Sequence, residues 1–360
     1  MKQTVDTTRN QILLDEYTRK RVPGIQYLVV NPHQTLYRYA GGWADIHHQR
    51  EMTFDTSMMA YSMTKTFTAA GVLQLVESQQ IGLDDELDHY FPDNPYHHQI
   101  TIRQLLTHTS GIPNPIPLRW VHLAQSNVQF DESAELAKIL SQHPKLKSAP
   151  GTKFAYSNIG YWLLGQIIEK VTGLPYCTYM RENVITLLGS PSCALDYEIE
   201  DPAQHASGYL ARWSVMNLLK PLLTDREFWA GYEGKWLNIK NHYPNGPAFG
   251  GLIGTATAFS FFLQDQLQDE SALFSGKTKR LFETQQETSE GKPIPMTLGW
   301  HIGKTNGISY LFKEGGGGGF HSEMRIYPTA AIGTVVMTNS TELDSKELLN
   351  QLDSEFVELR

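Results

Sequence analysis

The chain has 360 residues, of which 41% are hydrophobic and 19% are charged, a composition typical of a soluble globular protein and too apolar for a disordered one. Its 30 Lys and Arg residues against 38 Asp and Glu residues give a formal net charge of −8. Because that sign opposes attraction to phosphate groups, nucleic-acid binding is set aside, and an anionic membrane surface is disfavoured as a partner.

Hydrophobic periodicity places strands near both ends of the chain and helices in its middle. Helices are predicted over residues 11–21, 64–78, 102–106, 131–141, 159–171, 255–266 and 343–356. Strands are predicted over residues 24–30, 35–41, 297–304, 309–313, 323–327 and 332–338. The aromatic-rich segment 213–243 receives no assignment, and residues 113–117 are predicted to form a proline-rich loop. This order predicts a sheet built from both termini and interrupted by a large helical insertion.

The termini and the cysteines say little about the compartment. Residues 1–10 are polar and hold no apolar segment of signal-peptide length, and no stretch approaches the roughly 18 apolar residues of a membrane-spanning helix. As given, the chain is expected to be soluble and cytoplasmic, whereas removal of a signal peptide would imply export. Cys177 and Cys193 are too few for a disulfide framework and are interpreted as free thiols, with a single bridge between them left open.

The first candidate for chemistry is the segment Ser62-Met63-Thr64-Lys65, which opens a strongly predicted helix. A spacing of three places Ser62 and Lys65 on one helical face. A serine hydroxyl becomes a good nucleophile when a neighbouring group takes its proton, and a lysine whose pKa is lowered by burial can do so. The alternative is that Ser62 is a helix N-cap. The same pattern recurs at Ser289–Lys292, where glycine and proline make a helix unfavourable.

The second candidate is Tyr156-Ser157-Asn158, just before the helix predicted at residues 159–171. A phenol close to a lysine ammonium ionises more easily and can act as a general base, and an asparagine amide can orient a substrate carbonyl. A core tyrosine followed by a helix cap is the alternative interpretation.

The third candidate is Lys313-Glu314-Gly315, which leads into further glycines up to Gly319. Glycines lack side chains and so allow a ligand to approach the backbone closely. The alternative interpretation is a flexible surface loop.

In this order the three features resemble the motifs S-x-x-K, Y-x-N and K-T-G or H-x-G of the serine β-lactamase and penicillin-binding-protein superfamily. The resemblance is greatest to the group of class C β-lactamases, D-alanyl-D-alanine carboxypeptidases and related esterases. Supporting matches span most of the chain, at residues 105–113, 150–161, 250–256 and 298–300. The resemblance implies an α+β, β-lactamase/transpeptidase-like fold, with an antiparallel sheet flanked by helices. It implies a sheet domain at residues 1–60 plus 246–360 and an inserted, mainly helical domain at residues 61–245.

Residue by residue, the resemblance implies that Ser62 is the acyl-forming nucleophile and that Lys65 and Tyr156 share the proton transfers, with the base at each step left open. The substrate-binding positions it implies are Asn158, Lys313, Gly315 and Gly316. Lys313 would add positive potential that favours an ionised Tyr156. The backbone N–H groups of Ser62 and Gly316 would form the oxyanion hole, where each donor is worth roughly 3–4 kcal/mol.

The third motif departs from the family pattern because Glu314 stands where the family has threonine. In the family that threonine or serine helps to hold a substrate carboxylate, which a glutamate facing the pocket would repel. In a strand, Glu314 would instead share a face with neither Lys313 nor Gly315. The departure therefore favours esters and amides with a neutral acyl group over β-lactams and peptidoglycan.

Other patterns carry no function. Two Gly-Lys-Thr sequences lack the first glycine of a P-loop, and no G-x-S-x-G segment indicates an α/β-hydrolase. The histidines at 47, 48, 89, 97 and 98 lack metal-site spacing, so neither a metal nor a cofactor is expected. The sequence thus predicts a serine hydrolase of small-molecule esters, amides or β-lactams. The alternatives are a carboxypeptidase or penicillin-binding protein, or an idle scaffold or sensor; the natural substrate, deacylation rate and oligomeric state stay open.

Overall fold

The computed structural model describes residues 7–97, 99–115, 119–190, 194–214, 217 and 225–357. The helices are α1 (Thr8–Lys20), α2 (Thr64–Glu77), α3 (Leu87–Tyr90), α4 (Ile102–Leu106), α5 (Glu132–Gln142), α6 (Asn158–Thr172), α7 (Tyr176–Met180), α8 (Pro247–Gly250), α9 (Ala256–Leu267), α10 (Gly276–Glu283) and α11 (Ser345–Val357). The strands are β1 (Gly24–Val30), β2 (Thr35–Asp45), β3 (Arg50–Glu51), β4 (Met58–Met59), β5 (Val121–Leu123), β6 (Leu195–Asp196), β7 (Gly208–Ala211), β8 (Trp229–Glu233), β9 (Trp236–Ile239), β10 (His242–Pro244), β11 (Ile253–Gly254), β12 (His301–Thr305), β13 (Ile308–Gly317), β14 (Phe320–Tyr327) and β15 (Ile332–Thr338).

The main sheet joins strands from both ends of the chain. Its seven strands follow the order β12-β13-β14-β15-β1-β2-β3, and every neighbouring pair is antiparallel. At its centre β1 pairs with β15, which sets Ile25 opposite Thr338. The predicted α+β fold with a sheet from both termini is therefore confirmed, while the domain boundaries at residues 60 and 246 stay a prediction.

Helices cover both faces of this sheet, which is why β1 and β15 are buried along their whole length. On one face α1 and α11 pack against alternate residues of β1, such as Tyr27 and Val29. On the other face α9 packs against the intervening residues, Leu28 and Val30. That second core continues without a break into α2 and α6, the two helices that carry the S-x-x-K and Y-x-N motifs at their N-terminal ends.

Most predicted elements are present, and the differences have local causes. The strand predicted from residue 297 begins only at His301, because Thr297–Trp300 forms a turn in which the Thr297 N–H donates to the Trp300 carbonyl at 2.9 Å. The segment left unassigned, 213–243, contains β8, β9 and the start of β10 in its described part. Residues 116 and 117 of the proline-rich loop, His98 and Cys193 lie outside the described residues. Cys177 is a free thiol.

Candidate active site

Ser62 lies in a short 3-10 turn, Tyr61–Met63, directly before α2. Its side chain does not cap the helix, because Met63 occupies the N-cap position and no side-chain cap bond is present there. The N-cap interpretation of Ser62 is therefore wrong. Instead, its Oγ meets two side chains that the sequence predicted, Lys65 and Tyr156.

Lys65 stands one helical turn beyond Ser62, and its Nζ lies 3.0 Å from the Ser62 Oγ. The same Nζ donates to the carbonyl oxygen of Phe249 in α8 at 2.6 Å. The side chain is fully buried. Burial, followed by the charge of Lys313, holds the pKa of Lys65 well below its ordinary value. A neutral amine is therefore accessible beside the hydroxyl.

Tyr156 approaches Ser62 from the segment before α6, and its hydroxyl donates to the Ser62 Oγ at 2.9 Å. The ammonium nitrogens of Lys65 and Lys313 lie 5.0 and 5.2 Å from the centre of its ring. Burial nevertheless raises the pKa of Tyr156, and the Glu314 carboxylate raises it further. At neutral pH the phenol therefore keeps its proton and acts as a donor, and the expected effect of Lys313 on its ionisation stays a prediction.

Lys313 is fully buried on β13, and its Nζ lies 3.2 Å from the Nε2 of His301 on the neighbouring strand β12. Burial lowers the pKa of Lys313 to about 7, and the Glu314 carboxylate opposes that shift. Burial and the two lysines lower the pKa of His301 to about 2. The neutral imidazole therefore accepts the hydrogen bond from the lysine and fixes the position of its ammonium group.

Two histidines of the site were missed by sequence reasoning. The His301 ring stacks on the Tyr156 ring at a centroid distance of 6.3 Å, and the His108 ring lies 4.2 Å from it on centroids. The Nδ1 of His108 accepts the Ser157 N–H at 3.2 Å, while its buried Nε2 has no hydrogen-bond partner among the described residues. His108 lies within the matched segment 105–113 and His301 directly follows the segment 298–300, but neither has a spacing that ties it to a motif.

Asn158 is the first residue of α6, and Ser157 before it is the N-cap that accepts the Gly160 N–H at 3.2 Å. The backbone N–H of Asn158 donates to the Oδ1 of Asn114 at 3.0 Å. Its own side-chain oxygen is buried without a hydrogen-bond partner in the described part of the chain. The predicted contact of this amide with a substrate therefore stays a prediction.

Glu314 lies on the opposite face of β13 from Lys313 and Gly315, as strand alternation allows. Its Oε1 pairs with the Nε2 of His321 at 3.0 Å, and 51% of its side chain is exposed. The hydrogen bond from His321 lowers the pKa of Glu314. The carboxylate is therefore turned away from the lysine and reaches the site through its electrostatic field.

The glycines beside the third motif are packed, so the flexible-loop interpretation is wrong for this segment. Gly315 to Gly317 belong to β13, and Gly316 pairs with His321 on β14. A Cβ at Gly315 would overlap the Ala60 carbonyl oxygen and lie 2.8 Å from the Ser62 nitrogen. Only glycine lets this strand lie so close to the turn that carries the candidate nucleophile.

Within the described ranges no group of three His, Cys, Asp or Glu side chains could hold a metal ion. No helix among those residues is long and apolar enough to span a membrane.

Comparison with known proteins gives one family and a consistent fold. The β-lactamase family model matches residues 6–357. Penicillin-binding protein 4* of Bacillus subtilis is 29% identical over 154 residues, which cover 43% of this chain and 34% of that protein. The chain therefore matches about a third of the length of that relative.

Two solved structures share the fold over almost the whole chain. The octameric penicillin-binding protein homologue from Pyrococcus abyssi superposes with a TM-score of 0.80 at 22% identity, covering 97% of this chain and 77% of that one. The D-amino acid amidase from Ochrobactrum anthropi SV3 superposes with a TM-score of 0.80 at 22% identity, covering 96% of this chain and 97% of that one. At this identity the likeness concerns the fold.

Proposed function

Because the chain belongs to the β-lactamase family, we propose that it is a serine hydrolase that cleaves an ester or amide through an acyl-enzyme on Ser62. The observation that carries the proposal is the convergence of two side chains on one hydroxyl. Lys65 Nζ and Tyr156 Oη lie 3.0 and 2.9 Å from the Ser62 Oγ. A nucleophile within hydrogen-bond reach of a buried base is the arrangement that serine acyl transfer needs.

Lys65 is the better candidate for the base. A neutral amine has two N–H groups and one lone pair, and one of those N–H groups is held by the Phe249 carbonyl at 2.6 Å. Its lone pair can then accept the Ser62 proton, since the pKa of Lys65 is held well below its ordinary value. Tyr156, whose pKa is raised, is suited to donate rather than to accept.

The proposed reaction has two halves. In the first, the Ser62 Oγ forms a bond to the substrate carbonyl carbon while its proton passes to Lys65. Tyr156 then gives its proton to the departing oxygen or nitrogen and is reprotonated by Lys65, so the leaving group departs neutral. In the second half water attacks the acyl carbon while Lys65 takes one of its protons. The bond between that carbon and the Ser62 Oγ then breaks, Tyr156 gives its proton to Oγ, and Lys65 reprotonates Tyr156 as the acid product leaves. The N–H groups of Ser62 and Gly316 are proposed to hold the negative oxygen.

The substrate class follows from the charges near the site. Lys65 and Lys313 are buried, whereas the Glu314 carboxylate is half exposed on the other face of β13. Glu314 offers no hydroxyl that could hold a substrate carboxylate, and its charge partly offsets that of Lys313, so we favour a neutral ester or amide over a β-lactam. An amide is further supported by the structural similarity to a D-amino acid amidase.

A second candidate is a penicillin-binding protein or D-alanyl-D-alanine carboxypeptidase, and the named relative from Bacillus subtilis supports it. The two functions share the acylation step and differ in how quickly water removes the acyl group. A sensor would hold a stable acyl adduct on Ser62 without turnover, and an idle scaffold would show neither turnover nor an adduct.

The test compares wild type with Ser62→Ala on a short-chain p-nitrophenyl ester and on a chromogenic cephalosporin, following both burst and steady state. Ser289→Ala is the matched control, because Ser289 begins the second S-x-x-K sequence and its hydroxyl donates to the Gly151 carbonyl at 3.2 Å. We expect Ser62→Ala to lower kcat by at least about a thousandfold and Ser289→Ala to leave it unchanged. A burst followed by slow turnover would favour the penicillin-binding protein, and a burst without any turnover would favour the sensor. Equal activity of wild type and Ser62→Ala would refute the acyl-enzyme.

A further inference from the structure

Tyr61, the residue before Ser62, makes a buried contact that the proposed mechanism does not use. Its backbone is left-handed, with φ of 46°, and its hydroxyl lies 2.7 Å from the Nε2 of His242 on β10. The Nδ1 of His242 lies 2.8 Å from the Lys240 carbonyl oxygen, which can only accept a hydrogen bond. Nδ1 therefore carries the proton, Nε2 is the acceptor, and the Tyr61 hydroxyl is the donor.

The glycine turn between β13 and β14 lies directly on this pair. A Cβ at Gly317 would lie 2.8 Å from the Tyr61 ring. A Cβ at Gly318 would overlap both the Tyr61 hydroxyl and the His242 Nε2, and the φ of Gly318 is 42°. The absence of side chains here is thus a packing requirement set by Tyr61 and His242.

We propose that Tyr61 and His242 form a positioning pair that sets the distance between the two N–H groups of the oxyanion hole. The inference rests on the proposed function. Tyr61 directly precedes Ser62, whose N–H is the first donor of the oxyanion hole. The side chain of Tyr61 supports Gly317 and Gly318. These two glycines follow Gly316, whose N–H is the second donor. The hydroxyl ties this assembly to β10, and β10 pairs with β5 in the inserted part of the chain.

The hydroxyl is separable from the folding of the turn. The Tyr61 carbonyl accepts a hydrogen bond from the Thr64 Oγ1 at 2.6 Å, and the Leu252 N–H donates to the same Oγ1 at 3.0 Å. These bonds hold the turn whether or not the hydroxyl of Tyr61 is present. Removing that hydroxyl should therefore shift the glycine turn without releasing Ser62 from α2.

The experiment measures kcat and KM on the p-nitrophenyl ester for wild type, Tyr61→Phe and His242→Gln. A misplacement of about 1 Å can cost about a hundredfold in rate, so we expect Tyr61→Phe to lose about tenfold to a hundredfold in kcat with KM within about twofold. His242→Gln should retain most of kcat, because its amide oxygen can accept from Tyr61 while its amide NH₂ donates to Lys240. His242→Leu, which can do neither, should lose kcat as Tyr61→Phe does.

Tyr176→Phe is the matched control for the loss of a buried hydroxyl, since Tyr176 bonds to Thr68 on α2 at 2.7 Å and touches no proposed catalytic group. Full kcat in Tyr61→Phe, or an equal loss in Tyr176→Phe, would overturn the positioning role. If Tyr61→Phe does not fold, equal losses in His242→Gln and His242→Leu overturn it. Retained activity in Ser62→Ala would instead refute the acyl-enzyme itself, and the positioning role with it.

Discussion

Replacing Lys313 with methionine should change how the stability of the protein depends on pH. The side chain is fully buried, and burial lowers the pKa of Lys313 from its ordinary 10.5 to about 7. Between these two values the unfolded chain binds a proton that the folded chain has lost. Stability therefore rises with pH across that window and is lowest below pH 7, where the buried ammonium must be accommodated.

The magnitude follows from linkage. A difference of one bound proton changes the free energy of unfolding by about 1.4 kcal/mol per pH unit, and at pH 7 the folded lysine is already about half deprotonated. Integrated from pH 7 to pH 9, the contribution of Lys313 is about 2 kcal/mol. Glu132, whose pKa burial raises to about 8, acts in the opposite direction in this window. The prediction therefore concerns the difference between wild type and variant, in which the Glu132 contribution cancels.

The assay is urea unfolding of wild type and Lys313→Met at pH 7 and pH 9. Between these pH values the free energy of unfolding of wild type should rise by about 2 kcal/mol more than that of the variant. At pH 7 the variant should be the more stable protein. Lys304→Met is the matched control, since Lys304 is an exposed lysine on β12 of the same sheet. The free energy of unfolding of Lys304→Met should change between pH 7 and pH 9 as that of wild type does. Parallel stability changes in wild type and Lys313→Met would refute the argument that a buried lysine titrates near neutrality.

Two further outcomes concern carboxylates. The Glu132 carboxylate accepts the Trp162 Nε1–H at 2.7 Å, and its raised pKa means that its stabilising contribution is lost as pH rises through about 8. Glu132→Gln should therefore be more stable than wild type at pH 8 by up to about 4 kcal/mol but equal near pH 4.5, as measured by thermal or urea unfolding. Glu314→Thr should raise the ratio of kcat/KM for the anionic cephalosporin over that for the neutral ester by about fivefold, the effect of roughly 1 kcal/mol of like-charge repulsion. An unchanged ratio would mean that the field of Glu314 does not reach the substrate.

The sequence predicted the parts of the site that local spacing controls. Ser62 and Lys65 are one helical turn apart, and the Ser157 cap fixes where α6 begins, so the first two motifs could be placed on helix ends. Lys313 and Glu314 could be assigned to opposite faces because a strand alternates. Which of the two faced the site was left open, since alternation gives relative but not absolute orientation.

The remaining contacts depend on strand register and on distant segments. His301 reaches Lys313 because β12 and β13 pair with His301 opposite Phe312. A strand predicted from residue 297 could not give that register. The Phe249 carbonyl that holds Lys65 lies 184 residues further along the chain, and no spacing rule connects them. The sequence could not predict the pKa shifts either. Burial is the largest cause of the shift in Lys65, in Tyr156 and in Lys313, and burial depends on the packing of distant segments.

We expect Lys313 and Glu314 of the third motif to act on Ser62 through charge, whereas Gly315 packs directly against the turn that carries Ser62. The Nζ atoms of Lys65 and Lys313 lie 5.0 and 5.2 Å from the centre of the Tyr156 ring, and both side chains are fully buried. Each of two buried like charges disfavours the charged form of the other. Lys313 keeps that proton more readily, because the Glu314 carboxylate raises its pKa, whereas the charge of Lys313 lowers the pKa of Lys65. We therefore expect Lys65 to lose its proton before Lys313 does, which leaves a free amine beside Ser62. Glu314 therefore contributes to the base of the proposed reaction even though its side chain points to the opposite face of the strand.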